Sequence, residues 1–232
     1  MKVLKSLLFI MGLFVITQAK AGFITTNELA LDAIFSQSSF GSRPIDIRIG
    51  ASTELIFPDL LDISSDREVF KLFNLHVGAF NVVNFYFIDS ISACGIINVN
   101  IVGCGEFPGN DFVVESSFAA GRFGGELLAH ELGHNLGLPH KSGQFLMNGL
   151  LNNNTTLTTD EVARIHNSFL VQNNGQTSDI EYWIDINPVL IVAIASTPVP
   201  EPSTLVLLLL SVGFLVRKNS LKSYQQLKST LN

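Results

Sequence analysis

Residues 130–140 read HELGHNLGLPH, which places His130, Glu131, His134 and His140 at offsets 0, 1, 4 and 10. Imidazoles and a carboxylate at these intervals suit metal chemistry. On a helix, His134 lies about 6 Å along the axis from His130 and about 40° around it. Two imidazoles so placed can converge on one ion at Zn–N distances of about 2.0–2.1 Å. His140 cannot join them from the same helix, whose axis would carry it past the ion, so the chain must turn first. Gly137 is the residue type that permits a sharp left-handed turn, and Pro139 stiffens the approach to His140. Three protein ligands leave a fourth position for water, the pattern of a catalytic rather than a structural zinc. Glu131, about 100° around the helix from His130, lies beside the ion without ligating it. It is expected to take the proton of a zinc-acidified water, whose hydroxide attacks a polarised carbonyl, and to return that proton to the leaving amine. The competing reading, a helix whose histidines are merely surface residues, leaves the Gly-x-x-His extension unexplained.

These side chains need a helix, a turn and a scaffold. Glu126, Leu127, Leu128, Ala129, Glu131 and Leu132 favour helix; Leu127, Leu128 and Leu132 can face a core, and Gly137 ends the helix as a left-handed cap. Upstream, TTNELALDAIFSQSSFG (25–41) reads as a helix opened by a Thr25/Glu28 capping box, with Leu29, Ala33 and Ile34 on one face. Ile45, Ile47 and Ile49 alternate with Asp46 and Arg48 as a half-buried strand. Ser65 and Glu68 form a second box ahead of a short helix carrying Val69, Leu72 and Phe73. AFNVVNFYFIDSI (79–91) is a strongly β-prone central strand, the Gly-rich stretch to Asn110 a long loop, and DFVVESSF (111–118) another strand. A third box, Thr158/Glu161, starts a helix with Val162, Ile165, Phe169 and Leu170, and DIEYWIDINPVLIVAIAS (179–196) reads as extended. Helices and strands mix without regular alternation, so residues 22–198 are expected to form one α+β domain. His76 and His166 are read as non-ligands.

HELGHNLGLPH resembles the zinc motif HExxHxxGxxH of the metzincin metallopeptidases. That family carries a methionine in a tight turn beneath the zinc, and Met147 stands seven residues beyond His140; its structural alternative is a core methionine filling a gap. The resemblance, strong over residues 120–170, implies a zincin-like fold. Its parts are a mixed, mainly parallel sheet, an active-site helix, a cleft with zinc at its floor, a helix after the Met-turn and a small C-terminal subdomain. It implies zinc held by His130, His134 and His140, with Glu131 as general base. Several members carry a Tyr two residues after the Met that assists the oxyanion. Here Gly149 takes that place, and neither Tyr86 nor Tyr182 has matching spacing, so oxyanion stabilisation would rest mainly on zinc. The stretch between Gly22 and the first helix leaves no room for a sizeable pro-domain and holds no cysteine, so a cysteine switch is not expected. The wall of the specificity pocket is expected in 141–157 and around 118–124, with Leu146, Leu150 and Leu151 pointing to an apolar pocket. Calcium or a second structural zinc stays open, without specific support, given the many surface carboxylates.

The bulk of the chain bounds its partners. Its 232 residues, 47% hydrophobic, suffice for one domain with a core. Between Gly22 and Pro202 seven basic residues stand against all twenty acidic ones, a formal charge of −13. Such a body repels phosphate backbones and argues against nucleic acid as a partner. The other basic residues sit at the ends. Lys2 and Lys5, the apolar stretch Leu7 to Ile16, and Ala19-Lys20-Ala21 compose a secretory signal peptide over 1–21; an uncleaved anchor is the alternative, for which the apolar core is short. Export favours a disulfide between Cys94 and Cys104, with metal ligation by the pair as the alternative. Near the other end come Pro200-Glu201-Pro202, an apolar run from Leu205 to Val216, and Arg217-Lys218. That order, over 199–218, resembles the PEP-CTERM sorting signal of Gram-negative bacteria, whose tripeptide is recognised by an exosortase while a short transmembrane segment holds the protein in the inner membrane. A plain C-terminal anchor is the alternative. The resemblance implies delivery to the cell surface or extracellular matrix, with 219–232 as a cytoplasmic tail that is longer than the family usually has. The expected function is an exported zinc endopeptidase acting on protein or peptide substrates at the cell surface or in the extracellular matrix; a peptidase acting on its own chain or on cell-wall peptides is a separate alternative. The competing one is a zinc-holding surface or matrix-binding protein without turnover. Glu131 argues against the latter, because a structural site needs no general base.

Overall fold

The computed structural model describes residues 23–193; the signal peptide expected at 1–21 and the sorting signal and tail expected at 199–232 lie outside them. In chain order the elements are helix α1 (Glu28–Phe35), strands β1 (Ile45–Ile49), β2 (Thr53–Ile56) and β3 (Asp62–Ile63), and helix α2 (Asp66–Phe73). Strands β4 (Val82–Ile88), β5 (Ser90–Ile91), β6 (Gly103–Gly105) and β7 (Asp111–Glu115) follow. The short helix α3 (Ser116–Ala119), helices α4 (Gly124–Asn135) and α5 (Thr159–His166), and strands β8 (Gln172–Asn173) and β9 (Tyr182–Val192) complete the order. No helix among the described residues is long and apolar enough to cross a membrane.

The fold is α+β around one mixed, mainly parallel sheet. Its spatial order is β1-β9-β4-β7-β6, with β2 and β8 also paired to β9. The β1, β2 and β4 pairings with β9 are parallel, as is β4 with β7; β6 with β7 and β8 with β9 are antiparallel. The apolar run of β4 follows from its central place, where both faces are covered. Successive side chains go to opposite faces. Phe85 and Phe87 join a core with Leu127, Leu128 and Leu132, while Tyr86 and Ile88 join a second with Val69 and Leu72. Helices α1 and α4 therefore cover one face and α2 the other.

Several expectations are corrected. The first helix begins at Glu28, not Thr25. Asn27 takes the N-cap in the left-handed region (φ 51°), and its amide donates to Thr25 O and Ala119 O, so the Thr25/Glu28 box does not form. The later start turns Leu29 into solvent, 87% exposed, and Leu31, Ile34 and Phe35 inward. The other two boxes form, with Glu68 accepting Ser65 N–H at 3.0 Å and Glu161 accepting Thr158 N–H at 2.8 Å. The expected loop up to Asn110 contains the edge strand β6. The strand expected over 111–118 ends at Glu115 and gives way to α3. After α5 the chain does not close off a subdomain of its own: β9 returns to the middle of the sheet, between β1 and β4. Cys94 and Cys104 form the expected disulfide.

Candidate metal centre

Helix α4 ends in a Schellman motif. Gly137 adopts φ 83° and donates its N–H to His134 O at 2.9 Å, while Leu138 N–H reaches Gly133 O at 2.9 Å. This reversal brings the third histidine back over the helix. His140 Nε2 lies 3.3 Å from His130 Nε2 and 3.1 Å from His134 Nε2. One ligand atom from each residue falls within 4.8 Å of the others, and no other such His/Cys/Asp/Glu group occurs among the described residues.

Hydrogen bonds fix the tautomers of two of the three. His130 Nδ1–H donates to Leu146 O and His134 Nδ1–H to Leu138 O, each at 2.8 Å. With the proton on Nδ1, both Nε2 lone pairs point at the common centre. His140 can offer a hydrogen to only one of them, whereas a cation satisfies all three together. Tetrahedral zinc would set N···N separations of about 3.3 Å, given Zn–N of about 2.0–2.1 Å, close to the two separations that His140 makes. Burial, reinforced by the neighbouring imidazoles, pushes the pKa of His130 down to about 4 and holds that of His134 below the usual range. Both therefore stay in the neutral, ligating form. The three-histidine group can hold a metal ion.

Glu131 is only 5% exposed and lies beneath β6. A Cβ on Gly103 would fall 2.5 Å from Glu131 Oε1, and one on Gly105 would fall 2.8 Å from Glu131 O. These two glycines share one face of β6 and make room for the carboxylate and its helix. Burial pushes the Glu131 pKa up to about 8, against a lowering contribution from a Gly105 backbone hydrogen bond. A cation beside it would pull the value down again.

Met147 is fully buried, and a Cβ on Gly133 would fall 2.4 Å from its Sδ, so the thioether packs on the helix backbone one residue before His134. The turn serves the site through its backbone as well: Leu146 O holds His130, and Lys141 N–H donates to Met147 O at 2.7 Å. Gly149, where some metzincins have Tyr, lies 3.6 Å from the His140 ring, measured from an ideal Cβ. His76 and His166 sit apart from the centre. His76 Nδ1 is 3.0 Å from Asp111 Oδ1, and His166 Nε2–H donates to Arg43 O at 3.0 Å.

Two positioning residues escape the sequence reading. Glu126, one turn before His130, accepts the N–H groups of Asn152 and Asn153 at 2.8 and 2.9 Å and ties the segment after Met147 to the helix. Asn135 Nδ2 donates to Asp111 O and Glu106 O at 2.9 and 3.1 Å, joining the helix end to the β6–β7 connection. The available signal for Asn135 is its phase, which it shares with Leu128 and Leu132 on the inward face, where a buried polar group requires partners; Glu126 falls on the opposite side of the helix and carries no such signal.

The histidines and Glu131 line a cleft of about 590 Å³. The expected wall at 141–157 contributes Asn148 to Leu151, and that at 118–124 contributes Phe118; Leu146 is buried in the core instead. The remaining wall is the apolar loop between Cys94 and Gly103, which the disulfide closes onto β6. No tyrosine lines the cleft. No family model matches this chain, and no curated protein or solved structure is similar to it.

Proposed function

We propose that this protein is an exported zinc endopeptidase of the metzincin type. One observation carries the reading: three imidazole Nε2 atoms converge in a cleft with a buried carboxylate on the adjoining residue. His130, His134 and His140 would hold the ion. An all-imidazole set of three suits zinc in the catalytic manner, and when bound the metal polarises a carbonyl and acidifies water. Glu131 takes the proton of the attacking water on its carboxylate and delivers it to the nitrogen of the leaving amine. Among the described residues strand β6 has a strand partner on its β7 side alone, so an extended peptide can add along its other edge through backbone hydrogen bonds. The packed Met147 and the two histidine–carbonyl bonds hold the rings without the ligand, so little ordering accompanies binding.

The Cys94–Cys104 disulfide supports an oxidising compartment and hence export. In this reading the signal peptide is cleaved before Gly22 and the C-terminal segment is processed at the surface.

The test is hydrolysis of casein by the zinc-loaded protein. Chelation should abolish it. Glu131→Ala should lower turnover by about 10²–10⁴-fold while one zinc per chain remains bound. Absence of zinc in the purified protein, or unchanged turnover in the variant, overturns the reading. For sorting, the mature surface protein should begin at Gly22 and lack the residues after Pro202 by mass spectrometry; a retained tail refutes processing.

A further inference from the structure

Among the described residues, the one charged side chain besides Glu131 that lines the cleft is that of Glu115 at the end of β7. The residues before it serve the two cores, Phe112 and Val114 on the α4 face and Val113 on the other. Glu115 comes where the strand runs out beneath the disulfide-closed loop. Its N–H donates to Val102 O at 3.0 Å. The preceding residue, Val114, pairs with Gly103, the glycine that abuts the Glu131 carboxylate. Glu115 is the next residue along β7, so its side chain leaves on the face opposite Val114 and Gly103, where Oε1 meets Ile91 N–H, and it borders the cleft at the end of the strand.

Its carboxylate is half-buried and has no cation. Oε1 accepts Ile91 N–H at 3.0 Å. Among the described residues no Lys or Arg lines the cleft, and no ion pair includes Glu115. Burial accordingly holds its pKa above the ordinary carboxylate range. The apolar part of the surrounding wall is Phe118, Leu127 and Leu151, with Ile96 and Val99 at the rim, 64% and 85% exposed, and Asn98, Asn100 and Asn148 form its polar part. A desolvated carboxylate among apolar walls fits a long basic side chain. The aliphatic stem covers the walls while the charged head pairs with the acid. The acidic body adds to this by drawing cationic segments towards it.

We infer that Glu115 determines specificity, selecting protein segments that carry Lys or Arg at one position near the scissile bond. The inference rests on the peptidase reading for the bond that is cut, but the pocket itself can be read without turnover.

The experiment compares the full zinc-loaded chain with its Glu115→Gln form on paired peptides. Each pair places Lys or norleucine at successive positions on either side of the cleaved bond. At one position the wild type should prefer Lys by about tenfold or more in kcat/KM, the effect of a hydrogen-bonded charge pair. Glu115→Gln should lose that preference while still cutting the norleucine peptide, which also shows that it folds. If that variant does not fold, Glu115→Asp, which keeps the charge but withdraws it, should weaken the preference in its place. No Lys preference, or the same preference in the variant, overturns the inference and leaves the peptidase reading standing. If neither protein cuts any peptide, binding of the same fluorescent pairs decides. Tighter binding of the Lys member, lost in the variant, sustains the Glu115 pocket while the peptidase reading fails; equal binding overturns both.

Discussion

At the residue scale, Gly103 and Gly137 do different jobs, and substitution should separate them. Gly137 is needed for its backbone, since φ 83° is a region that L side chains rarely adopt. Gly103 has no such conformation; it is needed because a methyl there would meet the Glu131 carboxylate at 2.5 Å. Gly103→Ala should therefore displace the proposed base and spare the ligands. The expected outcome is one zinc still bound, turnover lower by about 10²-fold, and a stability loss of about 1–3 kcal/mol from overpacking. Gly137→Ala strains the turn that returns His140, so it should weaken zinc binding by about tenfold or more, the consequence of disturbing a ligand's support. Zinc affinity and turnover measured on both variants check the assignment. Equal zinc affinities would mean that the turn does not position the third ligand.

At the element scale, the cleft depends on β6 and on the loop tied to it by Cys94–Cys104. The ten-residue separation of the two cysteines closes a short loop, worth about 2–3 kcal/mol in the chain-entropy account. Replacing both with Ser should lower the urea-unfolding free energy by about that amount, and should raise KM more than it lowers kcat because the loop forms a wall rather than the chemistry. A variant with unchanged stability and KM would place the loop outside the cleft's function. These same elements explain what the sequence made legible. The ligands, the base, the turn glycine and the disulfide could be read because each depends on local spacing or on residue type. The active helix, β1, α2, β4 and α5 could be read because their apolar periods are intact. Strand β6 could not, since two of its three residues are glycines placed there for the helix below them. Helix α1 was misphased because Asn27 caps through a left-handed backbone and a long-range bond to Ala119 O, which Thr25/Glu28 spacing cannot reveal. The return of β9 between β1 and β4 is a non-local pairing, and the run YWIDINPVLIV carries no mark of which neighbours it will take.

At the scale of the whole molecule, stability should depend on pH through a histidine remote from the cleft. His166, on α5, donates Nε2–H to Arg43 O, while its Nδ1 is buried without a partner. The ring packs edge-on against Phe40 and Tyr182, and the Arg43 guanidinium lies over Tyr182 at 4.8 Å from the ring centroid. Burial first, and the Arg43 charge second, hold its pKa below the ordinary histidine value of 6.5. Protonation would place a charge on Nδ1 with nothing to receive its hydrogen. The unfolded chain therefore binds this proton more readily than the folded one. The contribution is fully present above the unfolded pKa and is lost as pH falls from there through the depressed folded value. His130 and His134 act in the same direction in the metal-free protein, so the absolute slope does not isolate His166, but a difference does. His166→Phe keeps the aromatic contacts, gives up the bond to Arg43 O and removes the titration. Urea midpoints measured with chelator present between about pH 7.5 and pH 5 should fall more steeply for the wild type than for this variant. The variant should start lower by roughly 0.5–1.5 kcal/mol, the worth of one hydrogen bond, and the gap should narrow as the pH drops. Parallel curves would mean that the proton is accommodated at Nδ1 in the folded state, and that the packing of α5 against the Arg43 segment plays no part in acid unfolding.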